Sequence, residues 1–366
     1  MVLSLNRTLK SIQRKSYLTE NRTDKIFMLV FLIIFGLCFV PFVLKSRQNQ
    51  KNDIPVSVSN KVYPENNNIL YTVEETPLLK FKRDNNSVLK PENLKSDAAL
   101  LYNVDTDTVL FSKNSDKICF PASITKIMTA YIAVKYIPLE TQFTVGTELS
   151  LLQPDSSVAD LCQGNVITLE DLLYVLLLPS GNDAAYTIAV NVARHVSGNA
   201  DLNDTQAVEF FCSLMNEEAE KSGTKNTNFC DPDGYHNTFH YTTAEDMLRI
   251  ALHTDDFPVL AQIAAVPYRK TTIVSGQAFY WSNGNCLVVN DNQYFLPFAT
   301  GFKTGFTDEA GYCMVATATN NNQRFIAVTL NSPSLAGRYT DAANLFYSVI
   351  APDKIIIDTP QVPPSS

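Results

Sequence analysis

The run Phe298-Ala299-Thr300-Gly301-Phe302-Lys303-Thr304 is followed by two more short runs, Tyr312 to Thr319 and Arg324 to Leu330, and this succession decides the fold. The linking segments Asp308 to Gly311 and Asn320 to Asn322 are rich in turn-forming residues, so the three runs read as adjacent strands joined by tight turns. Far upstream, Ala99 to Asn103 and Val109 to Lys113 flank the polar turn Asp105-Thr106-Asp107, a second hairpin signal. Between these strand groups the pattern is helical. After Pro121-Ala122, the residues Ile127, Met128, Tyr131 and Ile132 recur at helical spacing, which puts Ser123 in the first turn of a buried helix. Thr168 with Asp171 opens the apolar Leu172 to Leu178, stopped by Pro179. Helices are expected next at Asp183 to about Val196, capped by Gly198, at Asp204 to Glu220, at Glu245 to His253 behind Thr243, and at Asp341 to Ile350. Strands from both ends with helices between them predict an α+β domain, an antiparallel sheet flanked by helices.

Upstream of that domain, Ile26 to Leu44 carries no charged residue, and a helix of that length reaches about 28 Å, close to a bilayer's hydrocarbon thickness. Arg7, Lys10, Arg14, Lys15, Arg22 and Lys25 precede the run, against Lys45, Arg47 and Lys51 after it. The expected arrangement is a cytoplasmic tail at 1–25, an uncleaved single-pass transmembrane anchor at 26–44, a spacer at 45–95 and an exported domain at 96–350 with a short tail at 351–366. No small-x-small cleavage site follows the apolar run, which argues against a removable signal peptide.

The chain holds 29 basic and 37 acidic residues, of which seven and two lie in 1–45, leaving 22 against 35 and a net −13 outside. Such a surface is a poor match for nucleic acid and keeps an extracellular domain soluble. Six cysteines lie beyond the span at wide spacings that match no zinc pattern, and mostly free, buried thiols are expected. His236 and His240 are four apart, but the intervening Asn237-Thr238 and the preceding turn argue against a helical metal site. No metal or cofactor is implied.

Chemistry enters with Ser123-Ile124-Thr125-Lys126, Ser180-Gly181-Asn182 and Lys303-Thr304-Gly305, in that order. Each short motif has decoys: Ser87 to Lys90 and Ser222 to Lys225 repeat the first, Ser197 to Asn199 the second, and Lys221-Ser222-Gly223 mimics the third. Helix termination accounts for the copies at Ser197 and Lys221. A serine hydroxyl needs a base to become a nucleophile, and no serine, histidine and aspartate set stands out, so lysine is the remaining base. Positions i and i+3 of a helix share a face, which brings Lys126 to Ser123. Keeping a lysine neutral at pH 7 costs about 4.6 kcal/mol from its reference value. Burial and a second cation, Lys303, are the expected offsets. Lys303 would also attract a substrate carboxylate, Thr304 offers a hydroxyl, and Gly305 leaves room for a chain against the strand. Ser180 is placed to relay a proton and Asn182 to hold a substrate amide. The N–H groups of Ser123 and Phe306 would form an oxyanion hole, worth about 3 kcal/mol per donor.

In these elements the chain resembles the penicillin-binding proteins and serine β-lactamases. Pro121 to Ala130, Leu178 to Ala185 and Lys303 to Gly311 look like the low-molecular-mass D-alanyl-D-alanine carboxypeptidases, with the resemblance extending over about Ala98 to Ile350. It implies a β-lactamase/DD-peptidase-like fold and a serine enzyme that acts on the peptidoglycan stem peptide through an acyl-enzyme, with β-lactams acylating the same Ser123. A transpeptidase or endopeptidase on the same scaffold and a non-catalytic wall-peptide or β-lactam receptor are the alternatives. No E-x-x-L-N segment of a class A β-lactamase follows Asn182. Arg338 resembles a family arginine that meets the substrate's carboxylate, with a surface ion pair as the other reading. Two departures stand out: Asp233 occupies a position where a histidine is common, and little chain follows Ile350 to supply the second, β-rich domain of many relatives.

Overall fold

The computed structural model describes residues 81–84 and 86–356; the expected anchor at 26–44, the tail before it and most of the spacer lie outside the described residues. A six-stranded sheet forms the centre: β1 (Lys82–Arg83), β2 (Ala98–Asn103), β3 (Thr108–Lys113), β8 (Ala299–Thr307), β9 (Gly311–Asn320) and β10 (Gln323–Ser332), in the order β1-β3-β2-β10-β9-β8. The expected antiparallel hairpins are present, with Leu100 opposite Ser112 and Lys303 opposite Val315, and β2 pairs in addition with β10. The sheet is mixed rather than wholly antiparallel, because β1 runs parallel to β3. That strand falls in the segment read as spacer. Leu89 and Leu94 are also buried, so the end of the polar segment is part of the domain. Sparse apolar residues in a polar stretch hid this. At the other end the domain runs past residue 350, since Asn344 brackets the backbone of Ile356 through both its amide atoms.

Period-two alternation explains why this sheet is a middle layer. Along β10, Ile326, Val328 and Leu330 join one apolar cluster while Phe325 and Ala327 join another; β9 divides likewise into Cys313 and Val315 against Met314, Ala316 and Ala318. The first cluster receives α1 (Lys126–Tyr136), α2 (Leu169–Leu177), α3 (Asn182–Ser197), α4 (Asp204–Lys221), α5 (Ala244–His253) and α6 (Pro258–Ala264). The second receives α7 (Leu335–Ile350). Fully burying one such leucine or valine stabilises the fold by roughly 1.5–3 kcal/mol.

Local signals place the helix ends. Thr168 Oγ1 accepts from the Asp171 N–H at 3.2 Å, Thr243 Oγ1 from Asp246 at 3.1 Å, and Gly198 closes α3 at φ 64°. Elements outside the sequence expectations are two small ribbons, β4 (Gln142–Thr144) with β5 (Val166–Thr168) and β6 (Tyr268–Thr272) with β7 (Ala278–Ser282), the helix α6, and an earlier start for α7 at Leu335. All six cysteines beyond the apolar run are free; Cys119, Cys212 and Cys313 are buried.

Candidate active site

Eight consecutive residues of α1, Lys126 to Ala133, are buried. Packing asks for apolar side chains on such a helix, so a lysine with 0% exposure at its first position needs a chemical reason. A 3-10 turn, Ala122–Thr125, leads into the helix, with Ala122 at φ 50° delivering Ser123 to the surface of the sheet. Lys126 Nζ lies 2.9 Å from Ser123 Oγ, 2.8 Å from Asn182 Oδ1 and 2.8 Å from the Asp233 carbonyl. Two of these partners are amide-type oxygens that only accept. A neutral amine has two N–H donors and one lone pair, so it would donate to both of them and leave its lone pair for the Ser123 hydroxyl proton. Burial brings the Lys126 amine down to about 8, against the opposing pull of the Asp233, Asp231 and Asp183 carboxyls.

Asn182 and Ser180 reach the site from the turn between α2 and α3. Ser180 holds φ 66°, an uncommon conformation for a residue with a side chain, and its buried Oγ has no hydrogen-bond partner among the described residues. Gly181 is required: a Cβ there would stand 2.4 Å from Asp183 Oδ1 and 2.7 Å from Val175 Cγ1. The Asn182 N–H donates to the Ser157 carbonyl at 2.7 Å, and Asp183 Oδ2 accepts from Ala159 and Leu161 at 2.9 and 3.1 Å. Asp183 thereby ties the segment 157–161 to the start of α3, a role that the sequence signals only by its place after Ser180-Gly181-Asn182.

The edge strand β8 forms the opposite wall. A Cβ on Gly305 would lie 2.8 Å from the Ser123 nitrogen and 3.0 Å from the Pro121 carbonyl, so glycine is what lets the strand close on the helix start. Lys303 is 1% exposed and its Nζ donates to the Thr304 carbonyl at 2.9 Å. Burial holds its amine well below the usual lysine range, and the charges of Lys126 and Arg338 push the same way. Burial rather than a second cation is the main influence that lowers Lys126. Phe306, 47% exposed, lies against Tyr312 with ring centroids 4.4 Å apart.

Arg338 is 5% exposed and stands behind the strand. Its Nη1 donates to the Gly305 carbonyl at 3.1 Å, and the guanidinium lies over the Tyr312 and Tyr339 rings. The surface ion pair considered for it is not what forms, because the side chain is buried against carbonyl and aromatic partners.

The floor comes from Asp231-Pro232-Asp233-Gly234-Tyr235, whose contribution the sequence left in doubt. Gly234, at φ 81°, crosses the chain where a Cβ would collide with the Ala122 carbonyl. His240 is buried, with Nε2 2.9 Å from Thr125 Oγ1 and Nδ1 3.0 Å from Asp231 Oδ2; His236 instead meets the Phe120 ring edge-on. The two histidines therefore serve separate contacts. The decoys at Lys221 and Ser222 are engaged at a helix end: Ser222 Oγ donates to the Glu218 carbonyl, and Lys221 pairs with Glu217 and Glu218.

Known proteins are similar to this chain in sequence and fold. The chain is 31% identical over 238 residues to a D-alanyl-D-alanine carboxypeptidase of Bacillus subtilis, covering 64% of this chain and 57% of that one. It is 30% identical to a D-alanyl-D-alanine endopeptidase of Pseudomonas aeruginosa, covering 69% and 77% respectively. The crystal structure of the Streptomyces K15 DD-transpeptidase superimposes with a TM-score of 0.65 at 29% identity, over 71% of this chain and 98% of that one. The chain thus spans little more than half the length of its Bacillus relative. Residues 84–334 match the peptidase S11 family model, D-alanyl-D-alanine carboxypeptidase, and the chain belongs to that family.

Proposed function

We propose that this protein is a serine D-alanyl-D-alanine carboxypeptidase acting on peptidoglycan stem peptides. The observation that carries the reading is the buried Lys126 amine, hydrogen-bonded to Asn182 and to a backbone carbonyl, with Ser123 Oγ at 2.9 Å. In this reading Ser123 Oγ attacks the carbonyl of the penultimate D-alanine as Lys126 takes its proton. The oxyanion is held by the Ser123 and Phe306 N–H groups, the first of which faces Gly305 from the 3-10 turn before α1. The C–N bond then breaks, and the departing D-alanine nitrogen receives a proton through Ser180, whose orphaned hydroxyl is free to relay it. Water attacks the resulting ester, with Lys126 again as base, and Ser123 is regenerated. Lys303, Thr304 and Gly305 bind the substrate's terminal carboxylate and backbone, and Asn182 a substrate amide. Arg338 contributes its positive charge from behind the strand.

The uncharged run Ile26 to Leu44 and the basic residues before it support a single-pass anchor in the cell membrane, with the catalytic domain outside. β-Lactams, whose strained amide mimics the scissile bond, are proposed to acylate Ser123.

Labelled penicillin is expected to attach covalently to the purified domain and to fail after Ser123→Ala; equal labelling of the variant would refute the assignment of the nucleophile. Incubation with a stem pentapeptide and an acceptor amine separates the activities. Free D-alanine with a shortened peptide supports the carboxypeptidase, whereas a cross-linked product supports a transpeptidase.

A further inference from the structure

We propose that Gly284 determines which terminal residue is released: with no side chain beside Thr304, it leaves the subsite of the departing residue open to D-amino acids larger than D-alanine. The proposal rests on the reading of Ser123 as nucleophile, with Ser180 and Thr304 at the two ends of the departing residue.

The segment Asn283–Cys286 borders the cleft, although none of the three motifs contains it. The Gly284 N–H donates to the Leu178 carbonyl at 2.9 Å, two residues before Ser180, and the Gly284 carbonyl accepts the Tyr339 hydroxyl at 2.9 Å. Its neighbours are held as firmly. Asn283 Nδ2 donates to the Ala264 and Val266 carbonyls, both at 2.9 Å, its N–H donates to the Pro267 carbonyl at 2.8 Å, and Asn285 Oδ1 accepts the Leu287 N–H at 3.1 Å. Asn283 and Asn285 are buried, whereas Gly284 between them is exposed. The backbone is pinned, and only its bare α-carbon meets solvent.

This glycine differs in kind from those at 181, 234 and 305. At each of those a Cβ would come closer than 3.0 Å to a neighbour; on Gly284 it would meet the Leu178 carbonyl oxygen at 3.4 Å and Thr304 Oγ1 at 3.7 Å, ordinary van der Waals contacts. Nor does its backbone lie in the left-handed region. Neither internal space nor backbone strain therefore calls for glycine here. What its absence of a side chain leaves is room next to the Thr304 hydroxyl.

In the proposed reaction the departing residue reaches from Ser180, which relays a proton to its nitrogen, to Lys303 and Thr304, which hold its carboxylate. The tie to Leu178 and the approach to Thr304 set Gly284 alongside that span. The departing side chain then lies over bare backbone, where a long D-side chain finds space that a substituent on residue 284 would fill.

The test gives the purified domain stem pentapeptides ending in D-alanine, D-norvaline or D-methionine, with an acceptor amine present so that hydrolysis and transfer both release the terminal residue. The free D-amino acid is measured for wild type, Gly284→Ala and Gly284→Leu. Wild type should process all three endings with kcat/KM values within about tenfold of one another. In Gly284→Leu the ratio of kcat/KM for the D-methionine ending to that for the D-alanine ending should fall by about 10–200-fold, with Gly284→Ala between the two. Both endings pass through the same acyl-enzyme, so its hydrolysis cannot create the difference. Wild type that disfavours D-methionine by more than about tenfold overturns the proposal, as does a ratio that Gly284→Leu leaves unchanged. Should Gly284→Leu not fold, the wild-type preference and the ratio in Gly284→Ala decide the matter. Penicillin labelling that survives Ser123→Ala would instead sink the parent reading, whatever the ratio does.

Discussion

A methyl group on Gly305 would sit 2.8 Å from the Ser123 nitrogen, closer than real Cβ atoms approach. The strand carrying Lys303 and the turn carrying Ser123 are thus in direct contact, and the third residue of Lys303-Thr304-Gly305 is fixed by space rather than by reactivity. Gly305→Ala must push the two walls apart and displace the proposed oxyanion donors. Overpacking of this kind costs roughly 1–3 kcal/mol of stability. The loss of one oriented donor costs about 10²–10³ in rate. Acylation by a fluorescent penicillin should fall by that factor while thermal melting shows only the modest loss; an unaffected acylation rate would contradict the close approach.

Lys126→Arg keeps a cation and a donor but removes the proposed base, because a guanidinium does not lose its proton in proteins. Acylation should drop by about 10²–10⁴. On the proposed mechanism the neutral amine is the active form in the wild type, and burial brings its titration down to about 8. The acylation rate should therefore rise about tenfold per pH unit up to that point and then level off. A stopped-flow profile that is flat from pH 6 to 9 would exclude Lys126 as base.

Glu218 is buried and receives Lys135 Nζ at 2.5 Å and Lys221 Nζ at 2.8 Å. Burial works to raise its carboxyl, but the hydrogen bonds and charges of the two lysines outweigh it, and the net shift is downward from 4.5. A depressed folded-state value means that this stabilisation is fully present above the unfolded value and is lost as pH falls through the folded one. Glu218→Gln should lower the melting temperature at pH 7, by several degrees for a loss of about 2 kcal/mol. The difference should close as the melts are taken to acid pH, once the pH has fallen through the lowered titration of this carboxyl and wild type and variant are both neutral there.

Asp341 on α7 accepts from the Ser96 N–H and hydroxyl, both at 2.6 Å, and from the Lys95 N–H at 3.0 Å. It joins the last helix to the start of the first long strand. Asp341→Ala leaves buried donors unpaired and should cost about 3 kcal/mol. Denaturant unfolding should show a lower midpoint with the same slope; a midpoint equal to wild type would mean that the tie carries no stability.

Much of this protein was legible in its sequence because period and punctuation are local. The caps at Thr168 and Thr243, the stop at Pro179 and the left-handed Gly198 each act within one turn, so the helix ends they govern lie close to expectation. The strand runs of β8, β9 and β10 were visible for the same reason. The ribbon β4–β5 was not, since Gln142–Thr144 and Val166–Thr168 are three residues each and pair across more than twenty positions. Likewise Leu89 and Leu94 gave no periodic signal, because they anchor a polar segment singly rather than as a face.

Sequence alone singled out the residues proposed for serine acyl transfer, because Ser123 and Lys126 are three apart where a helix begins and their companions follow in fixed order. It also set the alternation that buries both faces of the sheet. Only the tertiary structure decided how Lys126 is held. Its partners, the Asn182 amide and the Asp233 carbonyl, are 56 and 107 residues away, and their convergence depends on glycines at 234 and 305 that let separate backbones touch. The charge state of a buried amine depends on every dipole and carboxyl around it. That environment is a property of packed space, which no local run of residues encodes.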